Sequence, residues 1–211
     1  MFELSFMRHA FVAGTFIAIV SGLIGVFVVA RGLPFLTHTL SEIGFAGASF
    51  AVFAGWPALN GMILFTMLSS IVVGQMSIKR SRREAVISAV SALFLGLGIL
   101  FLSLSSETAS SATSILFGSV VGISIHEVWE LVVLSVIVLF VTMLIYRPLK
   151  FDSFDDIGAR VTGIHSTVIS VVFLLLLALS VSVAAQIVGA LLMFILLTLP
   201  AASAKYLTNE V

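Results

Sequence analysis

Cysteine is absent from this chain, and with it go disulfides, thiolate metal sites, iron–sulfur clusters and cysteine nucleophiles. Charge is scarce as well. Only 9% of the 211 residues are Asp, Glu, Lys or Arg, against about 25% in a soluble domain. Those few balance, ten basic against ten acidic, which favours neither a nucleic acid nor an acidic partner. No glycine-rich phosphate loop of the GxxxxGKS/T type occurs, so ATP binding by this chain is not expected. What is present is hydrocarbon: 60% of the residues are hydrophobic and the mean hydropathy is +1.26. The chain reads as an all-α polytopic membrane protein set in a lipid bilayer.

A bilayer core about 30 Å thick takes roughly 20 apolar residues to cross. Stretches of that kind run over 10–30, 37–55, 58–78, 86–104, 127–146, 165–185 and 187–204, which makes about seven spans in one helix bundle. The first lacks a small-residue cleavage site and is read as a retained span, with MFELSFMRHA ahead of it as an interfacial helix. A shorter apolar piece at 112–123 follows the polar run SLSSETASSATS and holds Gly118 and Gly122. It suits a short or re-entrant helix, tolerated only where protein or water satisfies its backbone.

Basic residues alternate between connections. Arg31, then Lys79, Arg80, Arg82 and Arg83, then Arg147, Lys150 and Arg160, and finally Lys205 fall on one side, while the intervening loops have no Lys or Arg. Cytoplasmic loops retain Lys and Arg, so the basic connections are expected inside. Arg8 is the exception. The charged connection YRPLKFDSFDDIGARVTGIH, 146–165, is then cytoplasmic, and its 153–161 stretch is expected to form a short helix capped by Ser153 or Asp155. A plain solvated loop is the competing reading.

His38 and Glu42 are the ionisable groups inside the 37–55 stretch. Charge at bilayer depth costs kilocalories and marks pathways. At i and i+4 the two share a helix face, where an imidazole nitrogen and a carboxylate oxygen can hold one cation. Two bland readings stand beside this one: a span starting nearer Ile43 leaves both in a connection, or they neutralise each other by a hydrogen bond. HEVWE at 126–130 lacks the second histidine of a zinc-protease helix and reads as a helix start with Glu127 near its positive end. His9 and His165 sit at span ends. Glycines such as Gly44, Gly47, Gly96 and Gly98 allow close helix packing, and Pro200 is expected to bend or end the last helix.

FLTHTLSEIGFAG at 35–47 resembles the second-helix motif of the ABC-3 family of bacterial metal-importer permeases, which reads F-L/M-G-D-A-L/I-S-H-A-x-x-P-G. LFGSVVGIS at 116–124 is similar to its LFGSLLGVS, 146–165 to its YRPLLFVSFDPEFARALGL, and 184–208 to its Q-x-V-G-x-L-L ending with LPAA. The matches keep order and spacing across residues 6 to 208.

The resemblance implies a single permease domain over 1–211 in the bacterial cytoplasmic membrane. It would be paired with a second copy, driven by a separate cytoplasmic ATPase and supplied by an extracellular metal-binding protein. The transported ion would be Zn²⁺, Mn²⁺ or Fe²⁺, moved by alternating access; no cofactor is bound, ATP belongs to the partner, and the chain is not an enzyme. The 152–163 segment resembles the coupling helix, which carries Asp155, Asp156, Ala159, Arg160 and Gly163 over as ATPase-docking residues. His38 and Glu42 stand where the family has Asp and His, the donor types in reversed order; Thr37 and Ala46 replace the family's Gly and Pro. A non-metal substrate therefore stays open. The family also continues past LPAA for further spans, whereas this sequence ends at Val211, which leaves a truncated, non-transporting protein as the other alternative.

Overall fold

Helix α2, Pro34–Phe53, is the most enclosed element and organises the others. Its start and stop are written locally. Arg31 ends α1, Ser5–Ala30, and Gly32 follows at φ 65°, where the Gly32 amide donates to the Val29 carbonyl and the Leu33 amide to that of Val28. That is a Schellman close. Pro34 then opens α2 at its first position, where the missing N–H costs nothing. The same device repeats at the far end, with Gly55 at φ 75° and Trp56 donating back to Ala51. Pro57 follows, and α3 begins.

The structure, a computed structural model, describes residues 5–75, 80–105, 115, 118, 124–155, 158–159, 162–163 and 165–207. Beyond α1 and α2 it contains α3, Ala58–Gln75; α4, Arg80–Leu104; α5, Ile125–Leu144; α6, Tyr146–Phe154; α7, Ser166–Val188; and α8, Ala190–Leu207. Every regular element among the described residues is a helix. The expected 112–123 half-span lies outside them except for Ile115 and Gly118.

Helix α2 packs against α3, α4, α7 and α8, and 13 of its 20 residues are buried. The helix carries hydroxyls that lipid would leave dry, and each bonds the carbonyl one turn back: Thr37 to Leu33, Thr39 to Phe35, Ser41 to Thr37 and Ser49 to Phe45. Contact with α3 is backbone to backbone at Gly47 and Gly61, where a Cβ on either would run into the other's carbonyl. Without a hydrophobic drive between helices in lipid, such close approach supplies the packing. A buried Thr66–Ser182 hydroxyl pair at 2.8 Å ties α3 to α7. Helix α7 is the second central element, 61% buried over its most apolar window, against 11% for α4 at the rim.

Among the described residues five helices, α1, α4, α5, α7 and α8, are long and apolar enough to cross a bilayer, so the expected seven is met in part. Helices stand at all seven expected places, but α2 is diluted by His38, Glu42 and its hydroxyls, and α3 is apolar over its described side chains, Ala58 to Val72. Two local expectations change. Residues from Ser5 onward are continuous with the first span and form no separate interfacial helix, and α8 runs through Pro200 to Leu207. Glycine at 189, φ 90°, makes the break between α7 and α8, and Gly118 abuts that break.

Substituting Gly47→Val or Gly61→Val forces α2 and α3 apart. Overpacking of this kind costs about 1–3 kcal/mol, so each variant should melt at lower temperature in detergent. Gly22→Ala, which meets nothing within 4 Å, should leave the melting temperature unchanged.

Candidate functional site

His38 and Glu42 lie within the first turns of the unbroken helix α2, so they do not belong to a connection. Nδ1 of His38 and Oε1 of Glu42 are 3.8 Å apart, too far for a hydrogen bond. The reading in which they merely neutralise each other by a hydrogen bond therefore fails. The second carboxylate oxygen of Glu42 is buried with no hydrogen-bond partner among the described residues. An orphaned carboxylate oxygen is costly, and native structures keep one where it has a use. The His38 ring packs on Phe194 of α8 at 5.4 Å between centroids and leans on Phe35 at 6.4 Å, which fixes its plane.

Donors 3.8 Å apart can both reach an ion seated between them at about 2.1 Å from each. Among the described residues no cluster of three or more His, Asp or Glu forms, so α2 offers two ligands of a larger shell. The His38 side chain is 42% exposed and that of Glu42 20%. One side of the pair is thus open.

At the same end of the bundle as the α1–α2 turn lies α6, which was not expected as a helix of its own. The sequence placed a helix at 153–161; the structure adds α6 ahead of it, at Tyr146–Phe154, and within the expected stretch Gly158 and Ala159 are helical among the described residues. Asp155 then caps a following turn, its Oδ1 accepting from the Gly158 amide at 2.8 Å, with Ala159 donating to the Asp155 carbonyl. Asp155 is the cap the sequence offered, and Ser153 is not. Ala159 is fully buried, and Gly163 takes a φ of 82°. Asp156 and Arg160 lie outside the described residues.

Sequence reasoning missed the strongest polar contact of this end. Nη2 of Arg31 donates to Asp152 Oδ2 at 2.6 Å, Nε to the Ser153 hydroxyl at 2.8 Å, and Nη1 to the Ser170 hydroxyl at 3.1 Å. The guanidinium lies over the buried Phe173 ring, 5.1 Å from its centre. Both side chains are nearly dry, 11% and 3% exposed. Removing one partner of such a pair costs about 3–5 kcal/mol because the other charge stays buried. By sequence alone Arg31 serves only as an orientation marker and Asp152 as one charge of a connection. The 146–165 motif gave no warning, since the similar family segment has valine at the place of Asp152.

The opposite end of the bundle carries the second histidine–carboxylate pair. Helix α5 starts where the sequence placed it, with Glu127 in its first turn, and Ser124 joins Glu127 in a reciprocal capping box. His126 Nδ1 lies 3.5 Å from Glu130 Oε1, both well exposed, beside a groove of about 430 Å³ that reaches Asn60 at the start of α3. This pair is not brought near His38.

A polytopic bundle of apolar helices around one polar helix that holds an imidazole and a carboxylate is the architecture of a membrane protein. The ABC 3 transport family matches residues 3–211, and the chain belongs to that family. The manganese transport system membrane protein MntC of Halalkalibacterium halodurans is 30% identical over 209 residues, 98% of this chain and 71% of that protein. MntC of Listeria monocytogenes is 28% identical, covering 100% of this chain and 75% of that protein. Among solved structures, PsaBC from Streptococcus pneumoniae in complex with Fab matches with a TM-score of 0.85 over 99% of this chain and 75% of that one. At 24% identity that likeness shows the fold.

Loss of the Asp155 cap should be local. Asp155→Ala removes an N-cap worth about 1 kcal/mol, and Asp155→Asn keeps an acceptor. Hydrogen exchange at the Gly158 amide should speed up roughly fivefold in the first variant and little in the second.

Proposed function

We propose that this chain is the membrane-spanning permease subunit of an ABC importer that carries a divalent transition-metal ion, Mn²⁺ before Zn²⁺ or Fe²⁺, into the cytoplasm. The observation that carries the reading is the unsatisfied pair on α2: a carboxylate oxygen buried without a donor, one turn from an imidazole 3.8 Å away. An incidental polar pair would be expected to close on itself. Membership of a transport family in which relatives are named for manganese supports the choice of ion. Donor chemistry is compatible with it, since carboxylate suits manganese and imidazole suits zinc, and one of each admits both.

Two ligands do not complete a shell, so the open side of His38 and Glu42 is read as the place where a second permease copy or water adds the rest. We read α2 and α3 as the sixth and seventh crossings. Twenty residues at 1.5 Å each make α2 about 30 Å long, enough for the hydrocarbon. The bundle around α2 then supplies what lipid does not.

The basic connections orient the α6 end toward the cytoplasm of a bacterial cell. There the 152–163 segment serves as coupling helix, with Asp155, Asp156, Ala159, Arg160 and Gly163 meeting a separate ATPase. An extracellular metal-binding protein docks at the opposite face, where α5 begins. ATP binding closes the ATPase pair and moves the coupling segments, and the path around His38 and Glu42 opens to one side and then the other. The permease supplies ligands and motion. It makes and breaks no covalent bond.

Uptake of radioactive manganese into vesicles holding the assembled complex tests the assignment. His38→Ala and Glu42→Gln should each weaken it more than about tenfold, the scale on which lost metal-site contacts act. Unchanged uptake of Mn²⁺, Zn²⁺ and Fe²⁺ in both variants would remove the pair from the path.

A further inference from the structure

We infer that Arg31 is a positioning residue: its buried clamp on Asp152, Ser153 and Ser170 is the strap through which motion of the coupling segment reaches helix α2 and its His38–Glu42 pair. The inference rests on the permease reading above and adds to it the residues that join the two sites.

Three features place the strap. Asp152 and Ser153 form the last turn of α6, and the Asp155 cap of the coupling segment follows at once. Arg31 lies at the other end of the contact, seven residues before His38. Between them stands only the tight turn Gly32–Leu33, pinned by its two Schellman bonds and followed by Pro34, the first residue of α2. A displacement of α6 therefore pulls on Arg31 and turns the start of α2 with little slack.

The third anchor is α7, which holds the guanidinium from the side through the Ser170 hydroxyl and the face of Phe173. Phe173 is fully buried in the core, so α7 is the fixed support against which Arg31 moves. A fork of several donors suits this arrangement, because one guanidinium meets three acceptors on two helices.

The clamp also has room for a second state. Asp152 Oδ1 is buried and has no partner among the described residues, while Oδ2 holds the arginine. Arg31 can pass from one oxygen to both, or to the other, without leaving the carboxylate. Two discrete arrangements of one packed contact are what carries coupling between sites.

A cysteine-free chain makes the test direct. Phe53, exposed in the last turn of α2 and away from the His38–Glu42 pair, is replaced by cysteine in the full complex with its ATPase, and maleimide labelling is timed with and without ATP plus vanadate. With the clamp intact, trapping nucleotide should change the labelling rate by at least about fivefold, the lower end of ordinary coupling between sites. Asp152→Asn or Arg31→Gln should abolish that response and lower metal uptake per ATP hydrolysed, with manganese binding to the pair unchanged. Ser170→Ala keeps the ion pair and should halve the response or more, which covers the case that the charge variants do not assemble. A purely structural role would lower the melting temperature and leave the response of the folded complex intact; that outcome overturns the inference, as does an intact chain that shows no response. If the response depends on Asp152 but no metal is carried, the strap stands and the metal reading falls. Uptake that needs His38 and Glu42 while the response ignores Asp152 gives the reverse.

Discussion

A helix too polar to face lipid has to be surrounded by other helices, and this requirement shapes the bundle. Helix α2 brings an imidazole, a carboxylate and several hydroxyls into a hydrocarbon setting. Its hydroxyls are silenced by bonds to the preceding turn, and its backbone is covered by α3, α4, α7 and α8. The glycine contact with α3 brings the two backbones together where no apolar side chain would fit. Everything at the rim, α4 above all, is free to be plainly apolar because α2 is not.

That enclosure is what gives His38 and Glu42 their meaning. In water the pair would be solvated, and a hydrogen bond between them would be unremarked. Inside the bundle the ring is steered by Phe194 and Phe35, and the carboxylate keeps one oxygen without a donor. Polar groups left in this condition are expensive. A cation that enters beside them supplies what the protein withholds.

The other polar contact, Arg31 with Asp152, is nearly dry, lies at the same end and has a different character. Its arginine is fully engaged by two serines, a carboxylate and an aromatic face. Where the α2 pair is open to a ligand, this one is closed on the protein. One contact suits a passing ion, and the other suits a joint between helices.

Membership of a membrane class, the helix positions, the cap at Asp155, the helix start at Glu127 and the pairing of His38 with Glu42 on one face were all legible in the sequence. Each depends on spacing within a single helix or turn, and local backbone geometry determines it. Helix α6 itself was not legible, because Tyr146–Phe154 has little apolar periodicity to announce it and its helix stands by packing on α7 and α1. Nor was the Arg31–Asp152 clamp, since 121 residues separate its partners and either charge alone reads as an ordinary loop charge. The count of spans divides in the same way: α1, α4, α5, α7 and α8 declare themselves by hydropathy, while the polar α2 owes its place to neighbours. Composition and period determined which segments are helices; only tertiary structure decided which polar atoms are left without a partner, because desolvation is a property of what surrounds a group and not of the group itself.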